Sequence, residues 1–372
     1  MAGKKFIRFV AFICSMALVS AGCAGKSDSG GGGDGDAFYA GKTIELIVPS
    51  APGGANDLAA RLGAQYLEKY IPGNPTVQVV NIEGGGQIQG GNEFIGREAD
   101  GTSLLLTGPS GGLAMAVGHP EVRYHAKDMH ALWTFNRGNR VMFVNPDTGV
   151  ETVEDLKNPP NKLFMGTTTV VGSDLPLFLM LESLGLLDTI EVIFGYESAG
   201  GTVQAAYDAG EVNFDTAASQ TYLNSVDGGT IDATALFTAG ELQPDGSFER
   251  DSVLPDLPDA EETFKSLKGT EPSGESWEAF KTILDVVGNG GFTLWNHAED
   301  PENATADLQT GIKAMTEDDE YITKLQDILG PFQPGIGADA EAYGERVANI
   351  DPQLIDWIAT WAKDRFDVNL TE

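Results

Sequence analysis

Residues 42–61 read KTIELIVPSAPGGANDLAAR. Thr43 to Val48 is an almost unbroken apolar run with β-branched residues, the pattern of a strand buried on both faces. Pro49, Pro52, Gly53 and Gly54 interrupt it, and Leu58, Leu62, Tyr66 and Tyr70 then recur every fourth residue along one helical face until Pro72 stops the helix. Thr76 to Ile82 supplies the next strand. A strand, a glycine turn, a helix and a second strand at this spacing form a βαβ unit, and its right-handed crossover implies a parallel sheet.

Working outward, a glycine-rich turn and a short helix through Phe94 and Ile95 lead to a third strand, Ser103 to Thr107. The pattern restarts downstream: Leu163 to Met165, a helix through Leu177, Leu181 and Leu184 ending at Gly185, Ile190 to Phe194, a helix from about Thr202 to Ala209, and Ala233 to Phe237. Two such units predict an α/β protein of two lobes, each a mainly parallel sheet flanked by helices, with ligand sites in the loops at the carboxyl ends of the strands. Arg140 to Val144, running into Asn145-Pro146, reads as a strand crossing between the lobes. Glu241 to Glu275, rich in Pro, Gly, Ser and acids, reads as a surface excursion. Three closing helices are expected: one carrying Leu308, Ile312 and Met315, one opened by a Thr316 to Asp319 capping box and ended by Gly330, and one opened by Asp351-Pro352 whose Leu354, Trp357, Ile358 and Trp361 pack inward.

The 372 residues carry 55 acidic and 23 basic side chains, a formal charge of -32. Such a chain offers no general basic surface to phosphates, which excludes nucleic acid as a partner. Only two cysteines occur, Cys14 and Cys23, so no disulfide framework or cysteine-rich zinc site is available after residue 23. Lys4, Lys5 and Arg8 followed by the apolar run Phe9 to Val19 read as a secretory signal peptide over residues 1–22. Ser20-Ala21-Gly22-Cys23 resembles a lipoprotein cleavage box, with Ser20 where leucine is usual, and predicts lipidation at Cys23. Residues 23–36, mostly Gly, Ser and Asp, then form a flexible tether. Removing the leader takes the formal charge from -32 to -35. The expected location is extracytoplasmic, anchored by lipid at the cell membrane.

Two loops have anion-binding chemistry. Pro49 to Asp57 joins a strand end to a helix start, where glycines allow a tight turn and the first helical amides lack partners; Gly54 or Asn56 is the candidate cap. Val171-Gly172-Ser173-Asp174-Leu175-Pro176 occupies the same topological position in the second lobe. Other motifs fail. Gly41-Lys42-Thr43 precedes a strand instead of following one, Gly84-Gly85-Gly86 has Gln89 where a dinucleotide fingerprint needs glycine, and the four histidines lack metal-ligand spacing. Gly108-Pro109-Ser110-Gly111-Gly112 matches GxSxG after a strand, so a secreted serine esterase with Ser110 as nucleophile and His297 as base is the alternative. Pro109 beside the serine and the lack of an evident acid for His297 weigh against it, and neither an enzyme activity nor a cofactor is expected.

Lys42 to Arg61 resembles the opening of the tripartite tricarboxylate transporter substrate-binding proteins, whose signature runs strand, PxAPGGxxD, then a helix with an arginine. Asp100-Gly101-Thr102, Asn145-Pro146, Tyr196, Gly210-Glu211-Val212 and Leu254 to Pro258 follow in the family's order. The resemblance implies a two-lobed periplasmic binding (Venus flytrap) fold that closes on a small organic carboxylate and, as a monomer, presents it to integral-membrane permease subunits. Carried over, its ligand-binding positions fall on Ala51, Gly53, Gly54, Ala55, Asn56 and Asp57, with Thr107 and Ser110 as the neighbouring wall. Gly172, Ser173, Asp174, Tyr196 and Ser198 fall in the second lobe. The implied lobes are 37–144 with 277–372, and 145–276. The chain departs from the family at Asp174, where relatives carry histidine, at Asn81-Ile82-Glu83-Gly84, where asparagine-arginine-proline-glycine is usual, and at Ala217, where an acid is expected. Arg137 and Arg140 either form hinge surface or meet a second carboxylate.

Overall fold

The structure, a computed structural model, describes residues 37–136, 138–167, 170, 174–196, 202–243 and 245–370. The leader, Cys23, Arg137, Gly172, Ser173 and Ser198 lie outside the described residues. Two principal sheets organise the rest. The first contains β1 (Thr43–Val48), β2 (Thr76–Asn81), β3 (Ser103–Thr107), β4 (Met129–Phe135), β12 (Phe292–His297) and β13 (Pro334–Ile336), in the order β13-β4-β12-β3-β1-β2. The second contains β5 (Arg140–Val144), β6 (Leu163–Thr167), β7 (Ile190–Phe194), β8 (Phe214–Ala218) and β9 (Thr234–Thr238), in the order β7-β6-β8-β5-β9. A small hairpin, β10 (Glu241–Leu242) with β11 (Phe248–Glu249), stands apart.

Both sheets are mainly parallel in strand direction, as the βαβ spacing predicts. In the first, β1 pairs in parallel with β2 and β3, and only β12 and β13 run against the others. In the second, β6 pairs in parallel with β7 and β8, and only β5 is reversed. Alternate residues of β1 serve two cores. Leu46 and Val48 join Ala59, Leu67 and Leu104 beneath helix Ala55–Tyr70, while Ile47 joins Ile88, Phe94 and Leu105 beneath helix Ile88–Ile95. Cover on both faces explains why this strand reads as a continuous apolar run.

The reversed strands fix how the lobes meet. β4 ends at Phe135, on the edge where β1 and β3 have their carboxyl ends, and five residues later β5 begins at Arg140 opposite Ala218, the carboxyl end of β8. The return path ends at Phe292, opposite Phe135. Both crossings therefore join carboxyl edge to carboxyl edge, so the loops after β1 and β3 share an inter-lobe region with those after β6 and β8. Asn136 and Asn289, one on each crossing, hydrogen-bond at 3.2 Å through Nδ2 and Oδ1.

Five features differ from the sequence expectation. Arg140–Val144 is hydrogen-bonded within the second sheet, so a lobe boundary after residue 144 falls on the wrong side of that strand. Helix Glu275–Leu284 packs on helix Leu175–Leu184, and the closing helix Pro352–Phe366 reaches the second lobe through Phe366, whose ring meets Phe178 at 5.4 Å and Phe194 at 5.8 Å. Residues 277–372 are therefore shared between the lobes. The excursion after Glu241 contains helix Ala260–Lys268, held by a full capping box at Asp259 and Glu262. The expected box at Thr316 to Asp319 is instead a single cap: Asp318 accepts from the Glu320 and Tyr321 amides. A fourth closing helix, Ala338–Ala348, was not anticipated.

Candidate functional site

The loop after β1 is exposed from Ala51 through Ala55, and Gly54 caps helix Ala55–Tyr70 without any side-chain hydrogen bond to its first amides. Gly53 takes φ +89, a conformation that L side chains rarely adopt. What fixes the loop is Asp57, one turn into the helix and nearly inaccessible. Its Oδ2 accepts from the Gly53 amide at 2.8 Å and Arg61 Nε at 2.9 Å, and its Oδ1 from Asn81 Nδ2 at 2.9 Å, with an Arg61 terminal nitrogen 2.8 Å away. Asn81 also donates to the Ser50 carbonyl at 3.0 Å and accepts from Arg61 at 3.0 Å. The Arg61 guanidinium, helped by the Gly53 and Asn81 donors and opposed by burial, holds the Asp57 carboxyl down at about 2. Asp57, together with the Gly53 amide, is consumed by the loop's own architecture, so it positions the loop, and Ala51, Gly54 and Ala55 beside it are the residues that face solvent.

Behind this loop lies a polar layer that spacing alone did not reveal. Gln87 sits at φ +83 and its Oε1 accepts from the Gly108 amide at 2.8 Å and the Gly111 amide at 3.2 Å, fixing the start of helix Pro109–Ala116. Asn56 packs against Gly108 so closely that a Cβ there would fall 2.6 Å from its Nδ2. Asn56 is buried, not a cap, and both its polar side-chain atoms lack a protein partner, as does Ser50 Oγ. Buried orphan amides are costly unless water or another group satisfies them. Thr107 turns inward: its hydroxyl donates to the Thr293 carbonyl at 3.3 Å and accepts from Trp295 Nε1 at 2.9 Å, so it offers no hydroxyl to the loop surface. Ser110, half-buried in the first turn of its helix, remains on the rim.

The esterase alternative fails on register. β12 pairs with β3 so that Thr293 lies opposite Thr107. His297 is four residues further along, about 13 Å toward the other end of the sheet at ~3.3 Å per residue. There its ring stacks on Phe94 at 4.2 Å.

In the second lobe, the carboxyl end of β6 carries Thr167, whose hydroxyl donates to Asp174 Oδ2 at 2.9 Å. Asp174 precedes helix Leu175–Leu184 and is buried, with Arg140 3.9 Å away. Arg140 donates through Nε to the Thr216 hydroxyl and through a terminal nitrogen to the Thr216 carbonyl, both at 3.2 Å. Its guanidinium is thus committed within the lobe. Tyr196 donates its amide to the Thr167 carbonyl at 3.4 Å and lays its ring over Gly166. Asp215, beside these groups on β8, is buried, and desolvation pushes its carboxyl up to about 7 despite the Thr216 amide and Arg140.

No family model matches the chain. Among curated proteins, BugT of Bordetella pertussis is 31% identical over 120 residues, which cover 32% of this chain and 36% of BugT. A TctC solute-binding protein from Polaromonas superposes with a TM-score of 0.63 over 86% of this chain and 99% of its own, at 16% identity. The chain has the fold of this TctC solute-binding protein. MatC from Rhodopseudomonas palustris, solved with bound malate, shares that fold at a TM-score of 0.53 and 17% identity, covering 87% of this chain and 98% of MatC. The resemblance carried by residues 42–61 therefore extends to the architecture. The match to BugT spans little more than a third of that relative.

Proposed function

We propose that this chain is an extracytoplasmic solute-binding protein that closes its two lobes on a small organic carboxylate and delivers it to permease subunits of a tripartite tricarboxylate-type transporter. The observation that carries the reading is the Ala51–Ala55 loop, whose residues are exposed at a helix start and whose Gly53 amide is tied to Asp57, itself held by Arg61 and Asn81. Preorganised amide donors attract an anion without a fixed cation. They also answer an electrostatic problem, because a carboxylate must approach a chain of formal charge -32. Beyond ~8 Å salt screens that repulsion, and local donors decide capture. Ser110 and Tyr196 are the described residues that would add to the cradle from either side, Gly172, Ser173 and Ser198 are assigned to it on the sequence resemblance alone, and MatC, with its malate, is a precedent for the ligand class. Lipidation at Cys23 and the 23–36 tether hold the receptor at the membrane face; among the described residues no helix is long and apolar enough to cross a membrane.

A thermal-shift panel of citrate, C4-dicarboxylates, aliphatic and aromatic monocarboxylates and amino acids tests this. An acid at ~100 times its dissociation constant stabilises the protein by roughly 2.7 kcal/mol. A panel in which no carboxylate shifts the transition overturns the proposal.

A further inference from the structure

A cavity of about 70 Å³ opens at the carboxyl edge of the second sheet, and its lining is unlike that of a site for a second carboxylate. Met142 of β5, Leu177 and Met180 of helix Leu175–Leu184, and Phe280, Leu284 and Val287 give it an apolar lining. Gly138 and Gly288, one on each inter-lobe crossing, and Ala218 at the carboxyl end of β8 also line it, which puts the cavity at the edge of the second sheet that faces the crossings. Arg140 is the single charged lining residue, and its guanidinium is bound to Thr216 and lies 3.9 Å from Asp174. With Asp174 and Asp215 buried next to this arginine, a second anion entering here would lose its hydration and meet two acids for one cation.

We infer that this cavity receives the hydrocarbon tail of the bound ligand, so that the receptor selects monocarboxylates with a short apolar chain over di- and tricarboxylates. The inference rests on the carboxylate-receptor reading above and narrows its ligand class. At ~30 Å³ for a water-sized group, the cavity takes roughly two to three carbons. Each methylene moved from water into it raises affinity about fourfold.

The test is calorimetric titration of the full chain with acetate, butyrate, valerate and hexanoate, and with succinate, glutarate and adipate. Affinity rises about fourfold per added methylene until the cavity is filled and then levels, and each monocarboxylate binds at least tenfold more tightly than the dicarboxylate of equal carbon number. Ala218→Leu, which adds three carbons to the lining, weakens butyrate and valerate at least tenfold more than it weakens acetate. Met180→Ala enlarges the cavity and moves the plateau to a longer tail, and serves where Ala218→Leu does not fold. Dicarboxylates that bind more tightly than their monocarboxylate counterparts, with neither variant changing the chain-length profile, overturn this inference and leave the carboxylate-receptor reading standing. Failure of every acid to bind overturns both.

Discussion

Replacing Asp57 with alanine removes the carboxylate that ties Gly53 of the loop after β1 to Arg61 and Asn81. In the wild type its two oxygens accept from the Gly53 amide, Arg61 and Asn81 at 2.8–2.9 Å. The Gly53 and Asn81 bonds are charge-assisted, each contributing about 1–1.5 kcal/mol. The Arg61 pair adds little, because half of the Arg61 side chain is in solvent. The Gly53 and Asn81 bonds together contribute about 2–3 kcal/mol, which for a chain of this size lowers the melting temperature by roughly 4–6 °C at ~2 °C per kcal/mol. Ligand affinity falls as well, by about tenfold or more, because Gly53 and Gly54 lose their preorganised geometry. Acid sensitivity carries the same signature. The folded carboxyl titrates at about 2, below its unfolded value of 3.8, so its stabilisation is present above pH ~4 and is lost as pH falls from about 4 through 2. Scanning calorimetry from pH 2 to 7 on wild type and Asp57→Ala measures both effects: the stability difference is full above pH 4 and vanishes near pH 2. A variant that melts with the wild type at pH 7 and binds the same acid equally well refutes the assignment of Asp57 as the loop's anchor.

Other perturbations follow from the same contacts. Asp215 has the opposite sign to Asp57: its folded carboxyl titrates at about 7 against 3.8 unfolded, so its contribution is full below pH ~4 and is lost as pH rises through 7, by on the order of 4 kcal/mol across that window. Asp215→Asn flattens this slope and makes the variant more stable than wild type at pH 8 in urea titrations. Gln87→Ala leaves the Gly108 and Gly111 amides without an acceptor and costs about 2 kcal/mol, read as a melting temperature roughly 4 °C lower. Wild type hydrolyses no p-nitrophenyl ester, and Ser110→Ala weakens ligand binding by no more than about fivefold, the loss of one neutral hydrogen bond; ester turnover abolished by that substitution revives the hydrolase alternative.

The parallel half of each sheet was legible because its signals are local. TIELIV followed by a Pro-Gly turn and a four-residue apolar repeat specifies strand, loop and helix without reference to any distant residue. The strands that were not foreseen, β4 (MHALWTF), β12 (FTLWNH) and the three-residue β13, acquire their state from pairing: each is antiparallel to a neighbour far away in sequence. Arg140–Val144 was recognised as a strand, yet its sheet depends on which carboxyl edge it pairs with, and its partners at 214–218 and 234–238 are remote. The site divides in the same way. The exposed Gly53-Gly54 turn could be read from its residues. Asn81 and Gln87 could not, because their roles follow from register: Asn81 lies opposite Val48 in the parallel β1–β2 pair, which sets it beside Ser50 and Asp57. A polar residue ending the strand after a βαβ crossover was the available signal. Thr107 misled for the converse reason, since its hydroxyl is claimed by Thr293 and Trp295 of β12, a strand the sequence pattern did not announce.

The central claim is that one carboxylate is held by loops of both lobes at once. Hydrogen–deuterium exchange with and without a saturating concentration of the acid that stabilises the protein most measures this directly. Bound acid slows exchange of the amides at Gly54–Asn56 together with those spanning 167–175, with no comparable change in helix Asp319–Leu329, which packs on the other half of helix Ala55–Tyr70 through Tyr321 and Tyr66. Protection confined to one lobe, or centred away from both loops, contradicts it.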